Sequence, residues 1–251
     1  MSGARRCFAL AVCAAALTAC ATTPSAPKSP KAGGPCDWSY SNQAAWPTIC
    51  PQYAACGNGS RQSPINVTGA LARSLPALEF AYGPRQVTVV DTGHDIQVQL
   101  PAGGSTSLTV GGRTYQLAQF HFHEPSEHTV NGQGAAMEVH FVHADQGGEL
   151  TVVGVLMRPG AHNPTIQSIL DALRTQQPTF LDPASLLPAD RSYEGYAGSL
   201  TTPPCTEGVR WHVLHGSIEL SGLQIANFKT YYSGNARRIQ DPNGRVILTK
   251  E

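Results

Sequence analysis

From Trp38 onward the apolar and polar positions alternate with a period of two, the pattern of strands that bury one face, and a single stretch carries a clear helical period. The alternation is clearest at Ile96-Gln97-Val98-Gln99-Leu100. It predicts strands at Gln86–Asp91, Ile96–Leu100, Ser107–Val110, Tyr115–His123, Ala136–His143, Leu150–Met157 and Val209–Leu220, with Gly- and Pro-bearing turns between them. The helix is signalled by Asn163 as a cap, Pro164 at the first position, and Ile166, Ile169, Leu170 and Leu173 on one face. A short second helix is expected near Ser221–Ala226. No break in composition divides the chain after Trp38, so residues 36–251 are read as one domain of mostly β (α+β) class.

Composition narrows the picture. The 251 residues include 25 Gly and 19 Pro, with 41% hydrophobic and 14% charged positions, which favours a strand-and-turn protein over a helical bundle. Lys+Arg and Asp+Glu both number 17, so no nucleic-acid or polyanion partner is implied and the substrate is expected to be small or neutral. The N-terminus has a different character. Arg5 and Arg6 precede an apolar run from Phe8 to Leu17, too short to span a membrane in the mature protein, and the run ends in Leu17-Thr18-Ala19-Cys20. This tetrapeptide resembles a lipobox, which implies removal of residues 1–19 as a signal peptide and lipidation of Cys20; an ordinary secretory cleavage near Ala19 or Ala21 is the alternative. Residues 20–35 hold Pro, Ser, Lys and Gly with almost nothing to bury and read as a tether. The expected location is therefore outside the cytoplasm, periplasmic or cell-surface, with membrane attachment only through lipid. Four cysteines remain, Cys36, Cys50, Cys56 and Cys205. An even number in an exported chain implies two disulfides, for which sequence alone allows three pairings.

The chemistry concentrates in His121-Phe122-His123 and in Glu138-Val139-His140. Side chains of a strand alternate, so Gln119, His121 and His123 share one face while Phe120 and Phe122 take the other, and Glu138, His140 and Val142 group likewise on the following strand. Pro125, Asn131, Gly132 and Gly134 supply an antiparallel return between the two. Three imidazoles on neighbouring strands with no fourth protein ligand describe a catalytic zinc (Zn2+) site with a position open for water. Gln119 and Glu138 each precede a ligand by two residues, which suits acceptors that fix an imidazole tautomer through its other nitrogen.

With these motifs on the page, the chain from about Trp38 to Arg245 resembles an alpha-class carbonic anhydrase of bacterial, exported type. The resemblance rests on Gln119-Phe120-His121-Phe122-His123, Pro125-Ser126-Glu127-His128-Thr129, Glu138-Val139-His140, Gly198-Ser199-Leu200-Thr201-Thr202-Pro203-Pro204 and Arg61-Gln62-Ser63-Pro64-Ile65-Asn66. It implies a large, mostly antiparallel twisted sheet with short peripheral helices, and reversible hydration of carbon dioxide to bicarbonate and a proton by attack of zinc-bound hydroxide. His121, His123 and His140 match the zinc ligands, Gln119 and Glu138 their hydrogen-bond partners, and Thr201 with Glu127 the pair that orients the nucleophile. Val142, Val152, Leu200 and Trp211 match the apolar wall for carbon dioxide, next to Thr201 and Thr202 in the substrate site. His94 matches the proton shuttle, with Thr92, Gln97, Gln119 and Tyr40 on the polar wall. His128 and His143 match buried structural positions; His162, His212 and His215 have no assigned chemistry. Cys56 matches the disulfide partner of Cys205, leaving Cys36 and Cys50. Ser63-Pro64 and Pro203-Pro204 match cis peptides.

The resemblance further implies inhibition by sulfonamides and anions, and leaves a homodimer open. Departures are Asp37-Trp38 where His-Trp is frequent, and Arg238 where Pro is usual; Glu124 adds a carboxylate beside His123 that either tunes the bound water or sits solvated in a turn. Two other readings are a catalytically silent binding module of the same family, which typically lacks a zinc histidine, and a zinc-scavenging lipoprotein, which calls for a His-rich tract or a closed ligand set. The chain has all three histidines and neither of those features.

Overall fold

The computed structural model describes residues 34, 36–101 and 103–250. The signal segment, Cys20 and most of the tether lie outside the described residues. Twelve strands form one sheet, ordered Thr179–Leu181, Arg85–Asp91, Ile96–Gln99, Arg113–His123, Met137–Ala144, Leu150–Pro159, Glu207–Leu220, Tyr193–Ser199, Leu248–Lys250 and Leu71–Arg73, with Leu78–Ala81 and Ser107–Val110 attached beside Arg113–His123. Most neighbours run antiparallel, as the resemblance implied. The long central pair Leu150–Pro159 and Glu207–Leu220 is parallel, and so is the outermost pair. A further two-stranded ladder joins Asn66–Val67 to Thr129–Val130.

The alternation that predicts strands also sorts them into two cores. Phe120, Phe122, Val139 and Phe141 are buried in the larger cluster, which the helix Pro164–Thr175 covers with Ile166, Ile169, Leu170 and Leu173. Asn163 caps that helix as expected, its Oδ1 accepting from the amides of Thr165 and Ile166 at 3.1 Å. Val152, Val209, Trp211 and Val213 form the smaller cluster, against which Val142 and Leu200 pack. The second helix runs Gly222–Lys229 with Ser221 as its cap, longer than the sequence predicts. Tyr193–Ser199 escapes the sequence reading because Gly195 and Gly198 interrupt its apolar pattern. Gly198 has a steric reason: a Cβ there would overlap Ser63 Oγ and crowd the rings of Trp211 and Tyr196.

Candidate metal centre

Strand register brings the three imidazoles together. His121 stands opposite His140 in the antiparallel ladder, and His123 opposite Glu138. The ring centroids lie 4.5 to 5.3 Å apart, and one nitrogen from each ring falls within a common 4.8 Å. The other nitrogen of each ring faces an oxygen. Gln119 Oε1 lies 2.8 Å from His121 Nδ1, the Asn235 carbonyl 2.8 Å from His123 Nδ1, and Glu138 Oε1 3.0 Å from His140 Nε2. This leaves His121 Nε2, His123 Nε2 and His140 Nδ1 as lone pairs, and His123 Nε2 is buried with no partner among the described residues. Burial lowers the pKa of all three rings, so they are neutral and fit to ligate. The donor set fits a zinc ion.

Glu138 accounts for the second strand's contribution. Its fully buried carboxylate accepts from the amides of Glu127 and His128 at 2.9 and 2.8 Å through Oε2, and faces His128 Nδ1 at 2.8 Å and His140 through Oε1. Burial by itself raises its pKa, but the neighbouring His128 and His140 outweigh that and hold it well below the carboxylate range. His128 passes the chain on through Nε2 to Tyr196 Oη at 2.6 Å, and Tyr196 donates to Ser63 Oγ at 2.9 Å. His128 is thus buried and structural, as the resemblance implied. So is His143, between Tyr82 Oη and the Thr151 carbonyl.

Glu127 reaches the triad from the return segment, with Oε2 at 3.5 Å from His123 Nε2 and 3.8 Å from His140 Nδ1. Burial pushes its carboxyl up to about 8, against hydrogen bonds from the Arg237 amide and Thr201 that lower it. A cation held by the triad acts in the same direction as those hydrogen bonds and favours the ionised form. Thr201 is buried in the turn after Tyr193–Ser199. That turn is held by Thr202, whose carbonyl accepts from the Cys205 amide, by the cis Pro203-Pro204 peptide, by the Cys56–Cys205 disulfide, and by Gln62 Nε2 donating to the Cys205 carbonyl. Trp211 Nε1 donates to the Ser199 carbonyl at 2.9 Å, which fixes the indole beside His140 and places Val142, Val152 and Leu200 around it. The second disulfide joins Cys36 to Cys50. Both bridges suit an oxidising compartment.

His94 is half-buried in the turn between Arg85–Asp91 and Ile96–Gln99, its ring stacked on Trp38 at 3.8 Å. Burial lowers its pKa while Asp95, Asp37 and Asp91 act to raise it. Thr92 bonds to Asp95 and so shapes this turn, Gln97 stands opposite His121 in the ladder, and half-buried Tyr40 has a buried hydroxyl without a hydrogen-bond partner among the described residues. Glu124 corrects one of the two readings made of it: it is buried, ion-paired to Lys229 Nζ at 2.8 Å, and accepts from the Gly234 amide, so it does not sit solvated in a turn. The Glu124-Pro125 peptide is a third cis bond beside the two implied. Of the remaining histidines, His162 is exposed, His212 bonds Thr151 Oγ1, and His215 pairs with Glu194.

Sequence reasoning misses Asn235 and Arg237. Asn235 Oδ1 accepts from the Glu124 amide at 2.8 Å and Nδ2 donates to the carbonyls of Phe122 and His94, so one buried amide ties the strand bearing His121 and His123 to the turn bearing His94. The Arg237 guanidinium donates to the carbonyls of Ser63 and Cys56. Neither sits in a periodic segment, and an Asn or Arg in a loop carries no local signal of burial. The departure at Arg238 also finds its reason: its amide donates to Gln43 Oε1 at 2.8 Å, a bond that proline lacks.

The comparisons agree with this geometry. The family model described as eukaryotic-type carbonic anhydrase matches residues 41–251. The chain belongs to the alpha-class carbonic anhydrase family. It is a lyase of that class, and reversible hydration of carbon dioxide is the activity that membership carries. A carbonic anhydrase of Neisseria gonorrhoeae is 40% identical over 222 residues, covering 84% of this chain and 87% of that protein. The alpha-carbonic anhydrase of Thermovibrio ammonificans, solved with sulfanilamide, is 38% identical with a TM-score of 0.80, covering 86% of this chain and all of that one. A carbonic anhydrase of Chlamydomonas reinhardtii, solved with acetazolamide, is 35% identical with a TM-score of 0.73, covering 85% and 99%. The family is generally zinc-dependent, and the histidine triad is a set that could hold such an ion.

Proposed function

We propose that His121, His123 and His140 hold one zinc ion and that the residues around them carry out carbon dioxide hydration as follows. The ion supplies Lewis acidity that brings the pKa of water to about 7, a magnitude established for carbonic anhydrases as a class. Thr201 accepts the proton of the attacking oxygen and donates its own to ionised Glu127, which points a lone pair at the carbon. Val142, Val152, Leu200 and Trp211 form a dry wall where carbon dioxide rests without competing water, with Thr202 at its polar edge. The Thr201 amide donates to the oxygen on which charge develops. His94 then passes the released proton to solvent, a task its imidazole can perform by binding and releasing a proton in turn.

The observation that carries the reading is the convergence of one nitrogen from each of three buried or half-buried imidazoles, with the other nitrogen of each facing an oxygen at 2.8 to 3.0 Å. Sulfonamides and small anions are expected to bind at the triad. Residues 1–19 are taken as signal peptide, Cys20 as the lipidated N-terminus, 20–35 as the tether and 36–251 as the catalytic domain, in a periplasmic or cell-surface setting. Stopped-flow hydration together with zinc analysis tests the centre. His140→Ala should lose metal and activity together, and wild-type values for both would overturn the assignment. His94→Ala should slow turnover at low buffer and recover with added imidazole, whereas Thr201→Ala should not. Intact mass of the exported protein checks Cys20.

A further inference from the structure

A groove near the start of the strand that bears His121 and His123 is lined by two side chains that each keep a polar atom unpartnered among the described residues. It has a volume of about 400 Å3, and Arg85 and Thr106 line it together with Leu100, Leu117, Ala118 and Ala144. Arg85 Nε and Thr106 Oγ1 are both buried without a hydrogen-bond partner among the described residues, and Thr106 is only 2% exposed. The carboxylate that also lines the groove, Asp145, is fully engaged: Oδ1 accepts from the amides of Gly147 and Glu149 at 2.9 and 2.8 Å, and Oδ2 pairs with Arg113. Arg113 and Arg210 are balanced in turn by Asp145 and Glu149. Of the two charged side chains lining the groove, Arg85 is thus the one with no ion-pair partner among the described residues.

The surroundings hold these donors in place. The Thr106 carbonyl accepts from the Leu117 amide at 2.9 Å, which fixes the hydroxyl against the sheet. Arg85 Nη1 lies where a side chain at Gly104 would otherwise be, since a Cβ there would overlap it. The ladder shifts register between Leu117 and Gln119, which makes Ala118 a bulge, and bulges re-aim side chains beside functional sites. Gln116, at the groove, precedes His121 by five residues, about 17 Å along the strand. The groove is a place apart from the triad.

Two buried, unpartnered groups lining one groove call for a ligand that hydrogen-bonds, and the guanidinium suits a carboxylate head. The apolar lining decides the rest, since an inorganic oxyanion would leave Leu100, Leu117 and Ala144 uncovered. We propose that this groove binds a small organic carboxylate, its head on Arg85 and Thr106 and its apolar body on Leu100, Leu117 and Ala144.

The test uses zinc-loaded protein saturated with acetazolamide, so that carboxylate binding at the triad is blocked, and titrates benzoate by calorimetry and amide NMR. One benzoate should bind and shift the amides of Gly104 and Thr106. Arg85→Gln should weaken it about tenfold or more, the size of a charge-assisted hydrogen bond. Thr106→Val should weaken it several-fold, and Gly104→Ala should do so while keeping every charge, by displacing the guanidinium. Phosphate should bind much more weakly. The proposal is overturned if benzoate fails to bind, binds all three variants as it binds wild type, binds only when acetazolamide is absent, or is matched by phosphate. Carbon dioxide hydration by the variants, expected at the wild-type rate, reports that they have folded.

Discussion

Glu138→Gln isolates the physical basis of the metal centre, because it changes one atom of a fully buried group whose every hydrogen-bonding neighbour is a donor. Oε2 takes two amides, from Glu127 and His128, and Oε1 faces His128 Nδ1 and His140 Nε2, at 2.8 to 3.0 Å. An amide NH2 in either orientation turns two of these contacts into donor against donor. Hydrogen bonds to a charged group contribute about 1.5–3 kcal/mol each, and the neutral amide is less costly to bury, so the net loss is about 3–5 kcal/mol. That is a large part of the ~5–15 kcal/mol that stabilises a typical domain. The same change frees His140 from its fixed tautomer, which should weaken zinc about 10- to 100-fold. Urea unfolding of metal-free protein and chelator competition on loaded protein measure the two effects. The folded carboxyl is held well below its unfolded value, so its stabilisation is present above pH ~4.3 and is lost as pH falls through the folded pKa. The gap between wild type and variant should therefore be full at neutral pH and close only in stronger acid. A variant within about 1 kcal/mol of wild type, with unchanged zinc affinity, would refute an ionised acceptor at the centre of four donors.

Three other outcomes follow from the same structure. Cys56→Ser with Cys205→Ser opens a closed loop with a sequence separation of 149 and should cost about 2–5 kcal/mol in urea unfolding, with added loss of turnover as the Thr201 turn loosens. Burial holds His143 at about 3 and His212 at about 4; both charge on unfolding, so each removes up to ~1.4 kcal/mol per pH unit as pH falls from ~6.5 towards its folded value. His212→Gln should flatten that limb between pH ~6.5 and ~4 in urea midpoints taken across the range. Asn235→Ala leaves the Glu124 amide and Phe122 carbonyl buried and unpaired, and should cost about 2–4 kcal/mol by thermal unfolding while weakening zinc.

Local pattern determined a great deal of this protein. The two-residue period placed Phe120 and Phe122 in the core and His121 and His123 on the opposite face, because a strand offers its side chains no other choice. The same rule put Gln119 and Glu138 beside the rings they orient, and Asn163 and Pro164 announced the one long helix through short-range capping chemistry. The pairing of Cys56 with Cys205 and the roles of Glu127, Thr201 and His94 were legible only through family resemblance, since nothing local brings those positions together. Tertiary structure alone decided which nitrogen of each imidazole is free, because the acceptors come from three different places: Gln119 on the same strand, Glu138 on the neighbouring one, and the carbonyl of Asn235 from 112 residues away. It alone paired Glu124 with Lys229, stacked His94 on Trp38, and left Arg85 Nε and Thr106 Oγ1 without a hydrogen-bond partner among the described residues. Such contacts depend on which loops return to which strand ends, and a side chain's burial there is set by distant neighbours rather than by the residues on either side of it.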